Sequence, residues 1–378
     1  MAKIVVSPDY FKESVSAVMA SRAIARGLQK ADSKLEIVQV PLSDGGEGLI
    51  ESLVAATQGQ VIKLQVTGPL GDLVDASYGV LGDGRTGVIE MAQASGLHHL
   101  SPDQKNPLKT STYGTGELIK AALNQGFDNL IIGIGGSATN DGGMSMAKAL
   151  GVEFYDQDGN PLAGCGEELM RLNKIDTSGL DPRISNTNIK VVCDVTNPLI
   201  GPTGATKVYA PQKGATKEMV DILETGLNRY SQVIYQEFLQ DVSKVPGSGA
   251  AGGLGAGLQV FLDGDLISGI DLVLEAVDFS KHLEGADLVI TGEGSIDDQT
   301  INGKVPYGVG KQASYYNIPV IVLAGNIKPG AEELHDHGIT SILSITDGPI
   351  STSDSISRGE TLLENISYQL GRFYHQMR

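Results

Sequence analysis

A glycine-rich stretch at residues 128–143 carries much of the chemistry in the chain. It reads Asp-Asn-Leu-Ile-Ile-Gly-Ile-Gly-Gly-Ser-Ala-Thr-Asn-Asp-Gly-Gly. Its short apolar run predicts a buried strand, and the glycines that follow let bare backbone N–H groups approach a ligand. The residues from Ser137 to Asn140 offer further backbone and side-chain donors. Together these features predict a loop that binds an anionic group.

Three more segments leave an apolar run through polar residues. They read Val-Pro-Leu-Ser-Asp-Gly-Gly-Glu-Gly at 40–48, Val-Val-Cys-Asp-Val-Thr-Asn at 191–197 and Leu-Val-Ile-Thr-Gly-Glu-Gly at 288–294. Two of the three are rich in glycine, as is the stretch at 128–143. Four such exits from predicted strands indicate one enzyme site that is lined by loops.

Six acidic residues lie at or just past the predicted strand ends: Asp44, Glu47, Asp141, Asp194, Glu293 and Asp297. Phosphoryl transfer needs carboxylates that hold Mg²⁺ and a carboxylate that orients the attacking hydroxyl. Any single acid in such a position can instead cap a helix or close a turn. Six acids in glycine-rich surroundings favour the functional interpretation over the structural one.

A bound triphosphate would also require cations near these acids. Lys12 follows the first predicted strand, Lys213 lies in Pro-Gln-Lys-Gly, and Lys304 lies in Asn-Gly-Lys-Val-Pro. A lysine on a surface loop is usually only solvated. Lys12 and Lys304 are the stronger candidates, because both flank the predicted site at the strand ends.

The nucleotide-binding motifs of other folds are absent or incomplete. No lysine has the neighbours that a Walker A loop, G-x-x-x-x-G-K-[ST], requires. The segment 133–138 fits G-x-G-x-x-A after a predicted strand, but a simple tight turn explains this match about as well. A ribose-binding acid is expected ~20 residues further on, and there Asp156 and Asp158 lie in a turn-like segment. A classical dinucleotide site is therefore discounted.

Histidine metal sites and serine hydrolase sites find no support in the sequence. His98 and His99 are adjacent and so face different directions, and the pair His335 and His337 lacks an obvious third ligand. The G-x-S-x-G elbow of serine hydrolases is absent.

Composition excludes several classes of protein. The net charge is −17, and the chain has no basic cluster of the kind that nucleic-acid binding needs. Only two cysteines are present, so neither a disulfide framework nor a cysteine zinc site is expected. The apolar run at the N-terminus is too short for a signal peptide, and no stretch approaches the ~18 apolar residues that span a bilayer. We expect a cytoplasmic protein without a membrane partner.

The order of predicted elements indicates two α/β domains. Residues 1–58 alternate strand and helix, which favours a parallel sheet covered by helices, and the same alternation returns near the C-terminus. Residues 60–91 instead contain short strands joined by glycine turns, which do not continue a doubly wound sheet. We predict one doubly wound domain from residues 1–58 and 285–378 and an inserted domain at 59–284. The glycine-rich segment 248–257 fits a packed loop and helix start better than a flexible linker.

Taken together, the motifs resemble the type 1 glycerate kinase family. The matching segments are Ser-Pro-Asp-Tyr-Phe-Lys-Glu-Ser at 7–14, Asp-Gly-Gly-Glu-Gly at 44–48, Val-Thr-Gly-Pro-Leu-Gly at 66–71, Tyr-Gly-Thr-Gly-Glu at 113–117, residues 132–143, Cys-Asp-Val-Thr-Asn-Pro-Leu at 193–199 and residues 292–306. The match runs nearly end to end in the expected order, and several motifs are long. The resemblance is therefore specific for the family.

The resemblance implies ATP-dependent phosphorylation of D-glycerate with Mg²⁺, and 2-phosphoglycerate is the favoured product. It also implies a flavodoxin-like doubly wound domain built from both chain ends, with an inserted α/β domain that contains a mixed sheet. The expected partners are D-glycerate and ATP, and a homodimer is the candidate assembly.

The candidate site residues fall into four roles. Asp194 is the candidate base, because it ends an apolar strand and is followed by Thr-Asn, and Lys12 is the candidate cation at the transferred phosphoryl group. Asp297 is the candidate metal ligand. The candidates for substrate binding are Asp44, Gly45, Gly46, Glu47, Ser137, Thr139 and Asn140. The candidates for nucleotide or phosphate binding are Gly133, Gly135, Gly136, Gly292, Glu293, Gly294 and Lys304.

One departure from the family pattern keeps alternatives open. Ser295 follows Gly-Glu-Gly where family members often carry arginine, so another cation would have to replace any contact of that arginine with an anion. A non-catalytic sugar-acid sensor of the same fold is therefore one alternative. An NAD-dependent hydroxy-acid dehydrogenase is the other, and it rests on the G-x-G-x-x-A match.

Overall fold

The structure is a computed structural model that describes residues 2–45, 48–298, 300–301 and 303–377. Contacts between Cα atoms divide the chain into two compact units. The terminal unit comprises Met1–Gly59 with Ser268–Arg378, and the inserted unit comprises Gln60–Ile267. Residues 268–284, which the sequence placed in the inserted domain, group here with the chain ends. The α/β fold class is confirmed.

Helices and strands alternate along much of the chain. The terminal unit begins with β1 (Lys3–Val6), α1 (Ala17–Ala31), β2 (Glu36–Gln39) and α2 (Leu49–Thr57). The inserted unit contains β3 (Gln60–Thr67), β4 (Leu73–Val80), β5 (Thr86–Glu90), α3 (Ala92–Ser95), α4 (Tyr113–Asn124), β6 (Asn129–Gly133), α5 (Met144–Ala149), β7 (Glu153–Tyr155), β8 (Lys174–Asp176), β9 (Asn188–Val192), α6 (Ala205–Tyr209), α7 (Lys217–Phe238), α8 (Ala250–Leu262) and β10 (Asp265–Ile267). The terminal unit ends with α9 (Gly269–Ala276), α10 (Phe279–Leu283), β11 (Leu288–Ile296), α11 (Val305–Ser314), β12 (Val320–Ile327), β13 (Ser341–Ser344), α12 (Thr352–Ser357) and α13 (Gly359–Met377). Across the described ranges, no helix is both long and apolar enough to cross a membrane.

The terminal unit is built on one parallel sheet. Its strands lie in the order β13-β12-β11-β1-β2, and every neighbouring pair is parallel. Counted within this unit alone, the order is 2-1-3-4-5, which is that of flavodoxin-like folds. Ligands of such sheets bind beyond the carboxyl ends of the strands, at the point where the strand order reverses. In this unit that switch point lies between β1 and β11.

Helices α1 and α13 pack closely against each other on the apolar core of this sheet. Ile24 and Leu28 of α1 and Leu362 of α13 are fully buried in the same cluster. Burial of each such side chain stabilises the fold by about 1.5–3 kcal/mol. The helices touch at Gly27, where an added Cβ would lie only 2.3 Å from the main-chain oxygen of Glu364. The packing of α1 and α13 on the sheet holds its strands, and with them the residues of the candidate site, in place.

The inserted unit is built on a mixed six-stranded sheet in the order β10-β9-β6-β5-β4-β3. Strands β3, β4 and β5 form an antiparallel meander, and β5, β6, β9 and β10 are parallel. Gly133 at the end of β6 pairs with Val192 at the end of β9. Two of the predicted polar exits therefore leave neighbouring strands at the same edge of this sheet.

The glycine-rich segment 248–257 forms a packed helix start, as the sequence predicted. Helix α8 contains three residues with left-handed backbone, Ala251, Gly252 and Gly253, at φ values of 52°, 68° and 91°. An added Cβ at Gly252 would lie 2.1 Å from the main-chain oxygen of Thr139. The kink lets α8 lie directly against the loop that follows β6.

Replacement of Gly252 by alanine should therefore destabilise the protein strongly. Its φ of 68° costs an alanine about 1–2 kcal/mol, and the clash with Thr139 adds about 1–3 kcal/mol of overpacking. Gly84→Ala is the matched control, because Gly84 has a φ of 67° and nothing within 4 Å of an added Cβ. Urea unfolding should show a clearly larger loss for Gly252→Ala. Equal losses would mean that the loop after β6 gives way without cost.

Candidate active site

The switch point of the terminal sheet brings Asp9 beside β11. After β1 ends, Ser7 N still donates to Ile290 O at 2.8 Å, and Asp9 N donates to Gly292 O at 2.8 Å. The chain thus continues along β11 beyond the last residue of the strand. This arrangement places the Asp9 carboxyl among the acids of the second half of β11.

Asp9 is a buried acid that the sequence analysis quoted within a motif but did not select as a site residue. It is 2% exposed, and its Oδ1 accepts a hydrogen bond from Tyr10 N at 2.7 Å. Burial raises the pKa of Asp9 well above its ordinary value, and repulsion from Asp44 and then Glu293 adds to the rise. The signal in the sequence was an acid directly after an apolar strand, in Ser-Pro-Asp.

Glu293 and Lys304 form a partly buried ion pair next to Asp9. Lys304 Nζ donates to Glu293 Oε1 at 2.8 Å. Glu293 Oε2 is buried, and no hydrogen-bond partner for it lies within the described part of the chain. Burial raises the pKa of Glu293 to about 7, although Lys304 opposes the rise. Burial alone would lower the pKa of Lys304, but its hydrogen bond to Glu293 and the attraction of the nearby carboxylates together outweigh that effect and leave the pKa raised.

The prediction that Glu293 lies past a strand end is wrong. Strand β11 continues to Ile296, because β12 runs alongside it and pairs Glu293 with Ala324 and Ile296 with Ile327. Gly292 and Gly294 therefore lie inside the sheet and not in an open loop. An added Cβ at Gly292 would lie 2.3 Å from Leu323 O, and one at Gly294 would lie 3.0 Å from Lys12 N. These glycines permit close approach of neighbouring backbone.

Further charged residues surround this ion pair. Lys328 Nζ lies 3.2 Å from Asp297 Oδ2, and both Asp44 and Asp297 raise the pKa of Glu293 by repulsion. Lys12 is exposed in the turn that links Phe11 to Val15. Asp9, Asp44, Glu293, Asp297, Lys304 and Lys328 are called the carboxylate cluster below. Lys304 and Lys328 are the cations of this cluster.

Two of the predicted substrate-binding residues have no structural description. Gly46 and Glu47 lie outside the described residues, so their predicted roles rest on the sequence. Gly45 is buried, and its N–H donates to Ser43 Oγ at 3.1 Å. Across the described ranges, no three side chains of His, Cys, Asp or Glu form a preformed metal site.

The loop at residues 133–143 of the inserted unit is held from below by a buried lysine. Lys213 is 1% exposed, and its Nζ donates to Ser137 Oγ and to Thr139 O, each at 2.7 Å. Burial lowers the pKa of Lys213 to about 7, although the charge of Asp141 opposes the fall. The sequence ranks Lys213 below Lys12 and Lys304, because those two flank the predicted site at the strand ends.

Asp141 anchors the far end of this loop. Its carboxylate accepts hydrogen bonds from Thr112 N at 2.8 Å, Thr112 Oγ1 at 2.7 Å and Gly143 N at 3.1 Å. Thr112 Oγ1 also accepts from Met146 N at 3.0 Å, so Asp141 joins the loop to the starts of α4 and α5. Burial raises the pKa of Asp141, and these donors oppose the rise. Asp141 therefore fixes the loop rather than facing a ligand.

The predicted binding residues of the loop divide into an open part and a buried part. Gly135 and Gly136 are exposed, and Gly136 has a φ of 72°. Ser137 is 6% exposed, whereas Thr139 and Asn140 are fully buried. Asn140 Nδ2 donates to Thr206 Oγ1 at 3.2 Å. Thr139 Oγ1 and Asn140 Oδ1 have no partner within the described residues. The loop thus combines exposed backbone at Gly135 and Gly136 with buried polar atoms that have no hydrogen-bond partner among the described residues.

Asp194 leaves the sheet beside this loop. It is exposed and lies two residues beyond the end of β9, while Cys193 N still donates to Ile267 O at 3.0 Å. The segment that follows is held by Asn197, which donates to Thr203 O at 2.8 Å and accepts from Tyr209 Oη at 2.6 Å. Asp194 and Ser137 therefore belong to the inserted unit, whereas Lys12 belongs to the terminal unit.

The geometry does not support a classical dinucleotide site. The G-x-G-x-x-A segment ends at residue 138, but α5 begins only at Met144, so the glycines do not open a helix as that fingerprint requires. The nearby acid Asp156 is engaged by Asn160 N at 2.9 Å and by Arg171 at 3.1 Å. The discounting of this site in the sequence analysis agrees with the structure.

Fold and site together define an α/β phosphotransferase with two units. The model of the glycerate kinase family matches residues 4–375, and the chain belongs to that family. It is 49% identical to the glycerate kinase of Bacillus subtilis strain 168, over 96% of this chain and 95% of the other. It is 48% identical to the glycerate 2-kinase of Escherichia coli K12, over 94% and 93%. A crystal structure from Salmonella typhimurium LT2, described as that of a glycerate kinase 2, matches with a TM-score of 0.91 and 46% identity, over 99% and 98%.

The raised pKa of Glu293 predicts a specific dependence of stability on pH. Between pH 4.5 and about 7 the folded state retains a proton that the unfolded state has lost, so the free energy of unfolding falls as pH rises through this window. Glu293→Gln should reduce that fall, and the raised pKa of Asp9 should preserve part of it. Urea unfolding at several pH values measures the slope.

The exposed residue Glu333 provides the matched control for this experiment. Glu333→Gln should leave the slope of stability against pH unchanged. A Glu293→Gln protein with the slope of the parent would show that this carboxyl is ionised throughout the window, and the buried ion pair would need another description.

Proposed function

We propose that this protein transfers the γ-phosphoryl group of ATP to a hydroxyl of D-glycerate, with 2-phosphoglycerate as the product. The observation that carries the proposal is a pair of buried polar clusters in a chain of the glycerate kinase family. One contains Glu293 and Lys304 in and near the second half of β11, and the other contains Lys213 and Ser137 at the loop after β6. The glycerate 2-kinase of Escherichia coli is the relative that favours the 2-phosphate. The NAD-dependent alternative rested on the G-x-G-x-x-A segment, and that segment does not open a helix as a dinucleotide site requires.

In this proposal two sets of residues bind the substrates. D-glycerate contacts Asp44, Gly45, Gly46, Glu47, Ser137, Thr139 and Asn140. The nucleotide and its phosphates contact Gly133, Gly135, Gly136, Gly292, Glu293, Gly294 and Lys304. The exposed backbone at Gly135 and Gly136 can approach an anion without obstruction from a side chain. The unpartnered Thr139 Oγ1 and Asn140 Oδ1 supply polar atoms for hydroxyl groups of a sugar acid.

A magnesium ion fits the carboxylate cluster. The ion prefers oxygen ligands and commonly uses one or two carboxylates together with substrate phosphates. Asp297, with Asp44, would hold the ion. Glu293 Oε2 is buried without a hydrogen-bond partner among the described residues, which favours a cation nearby. Such an ion supplies neutralisation of the phosphate charge during transfer.

The remaining steps belong to side chains of the protein. Asp194, an exposed residue two positions past the end of β9, accepts the proton of the attacking hydroxyl. In a loose transition state this proton leaves late, so the carboxylate mainly orients the hydroxyl. Lys12 neutralises charge on the transferred group, since an exposed ammonium on a tight turn can reach a ligand. We also infer a cytoplasmic location. We infer a homodimer as the assembly, and size-exclusion chromatography with light scattering would test that assembly.

Asp194→Asn should lower kcat by about 10²–10⁴-fold, the usual contribution of a positioned proton acceptor. Folding should be intact, because the side chain is exposed. Release of ADP in the presence of D-glycerate, followed by a coupled assay, gives kcat. Asp221→Asn is the control, because Asp221 is an exposed acid on α7 of the same unit. A variant with nearly normal turnover would remove Asp194 from the mechanism.

Phosphorus NMR of the product tests the reaction itself. We expect 2-phosphoglycerate to accumulate in proportion to ADP. Formation of 3-phosphoglycerate would contradict the assigned hydroxyl but not the kinase activity. Binding of D-glycerate without any consumption of ATP would contradict the kinase and favour the sensor.

A further inference from the structure

The buried lysine under the 133–143 loop is held rigidly. Lys213 ends a 3₁₀ turn that begins with Pro211, and its own N–H donates to Ala210 O at 3.0 Å. Gly214 follows with a φ of 93°. Backbone on both sides of Lys213 is therefore fixed. Its ammonium group has little freedom to choose partners other than Ser137 and Thr139.

The hydrogen bond from Lys213 determines which way the Ser137 hydroxyl works. A protonated lysine has three donors and no acceptor, so Ser137 Oγ must accept in this contact of 2.7 Å. The hydroxyl proton of Ser137 then remains for another acceptor, and the described residues provide none. Ser137 lies next to the exposed Gly136. The hydroxyl is thus left as a donor, on a residue that is 6% exposed.

The charge of Lys213 is not cancelled by a carboxylate in contact. Asp141 is the charged group that acts on it, but the carboxylate of Asp141 is occupied by Thr112 and Gly143. Tyr230 lies behind this acid and donates to Gly142 O at 2.8 Å. Burial raises the pKa of Tyr230 well above its ordinary value, so it adds no charge. The ammonium contacts Ser137 Oγ and Thr139 O, and among the described residues no carboxylate lies within salt-bridge distance of it. The positive end of this charge pair therefore lies at Ser137, where it favours an anion.

We propose that Lys213 is a positioning residue, which fixes the Ser137 hydroxyl as a donor to an anionic oxygen of the substrate and attracts that group by its charge. The inference rests on the proposed function, because it assigns the contact within the same substrate site. The anionic oxygen belongs either to the carboxylate of D-glycerate or to a phosphate of ATP. Measurement of both Michaelis constants distinguishes these two sources.

A double-mutant cycle tests the action of Lys213 through Ser137. Lys213→Met and Ser137→Ala should each raise KM for one of the two substrates by about 10-fold or more, the loss expected for a hydrogen bond that involves a charged group. The value of kcat should change less. The double variant should be no worse than the poorer single variant, because both remove the same interaction. Lys207→Met is the control, since Lys207 is an exposed lysine on α6 nearby.

The dependence of KM on pH supplies a readout that a purely structural lysine would not change. Lys213 loses its proton as pH rises through about 7, so KM for the affected substrate should increase between pH 6 and 8. Lys213→Arg keeps its charge and should abolish this increase. Ser137→Ala should weaken it, because the oriented hydroxyl is gone. These variants also keep the proposal testable if Lys213→Met does not fold.

Three results would overturn the proposal. They are additive effects of the two substitutions on KM, loss of kcat without a change in either KM, and the parental pH profile in Lys213→Arg. If the parent protein releases no ADP with D-glycerate, the proposed function fails instead. Calorimetric titration of parent and variants with ATP and with D-glycerate then still decides whether Lys213 governs binding of an anion through Ser137.

Discussion

The hydrogen bonds donated by Lys213 are the interaction on which the loop of the inserted unit depends. Residues between β6 and α5 form no regular structure, so their polar groups need partners from elsewhere. Lys213 holds Ser137 Oγ and Thr139 O, while Asp141 ties the other end to the starts of two helices. Removal of either charge would leave its partners buried and unpaired, which is costly. The shape of the predicted anion-binding loop is therefore set by buried charges beneath it.

The terminal unit also contains buried charged groups, but these are mainly acids. Asp9 and Glu293 are buried acids at the switch point of a flavodoxin-like sheet, and Lys304 contacts only one of them. Burial raises the pKa values of both acids, and repulsion from Asp44 adds to the rise in each. A site with excess buried acid favours a cation, whereas the loop under which Lys213 lies favours an anion. Phosphoryl transfer with a bound magnesium ion needs both kinds of environment.

Local patterns in the sequence predicted the regular elements well. The sequence predicts helices at residues 49–57 and 217–238, and α2 (Leu49–Thr57) and α7 (Lys217–Phe238) have these bounds. The sequence predicts that strand β11 ends before Gly292, since glycines after an apolar run usually mark a loop, but the strand continues to Ile296. Here they lie in the sheet because β12 continues beside them. A pairing of this kind depends on tertiary contacts that one segment does not contain.

The site was predicted in part for the same reason. Its glycine-rich loop and the acid Glu293 were visible as departures from strand patterns. Burial of Asp9 and Lys213 was not, because a polar residue in a turn is usually solvated and only the packing around it shows otherwise. Lys12 has an obvious position after β1 but is exposed. The burial of a charged residue is therefore a better guide to its importance in the site than its position in the sequence.

Direct titration of the lysines by NMR, with carbon-13 at Cε, would test this account of the buried charges most directly. The account predicts one resonance with a midpoint at about pH 7, which is lost in Lys213→Arg and moves to higher pH when an anionic substrate binds. Titration of every lysine near 10.5, the ordinary value, with or without substrate, would contradict it.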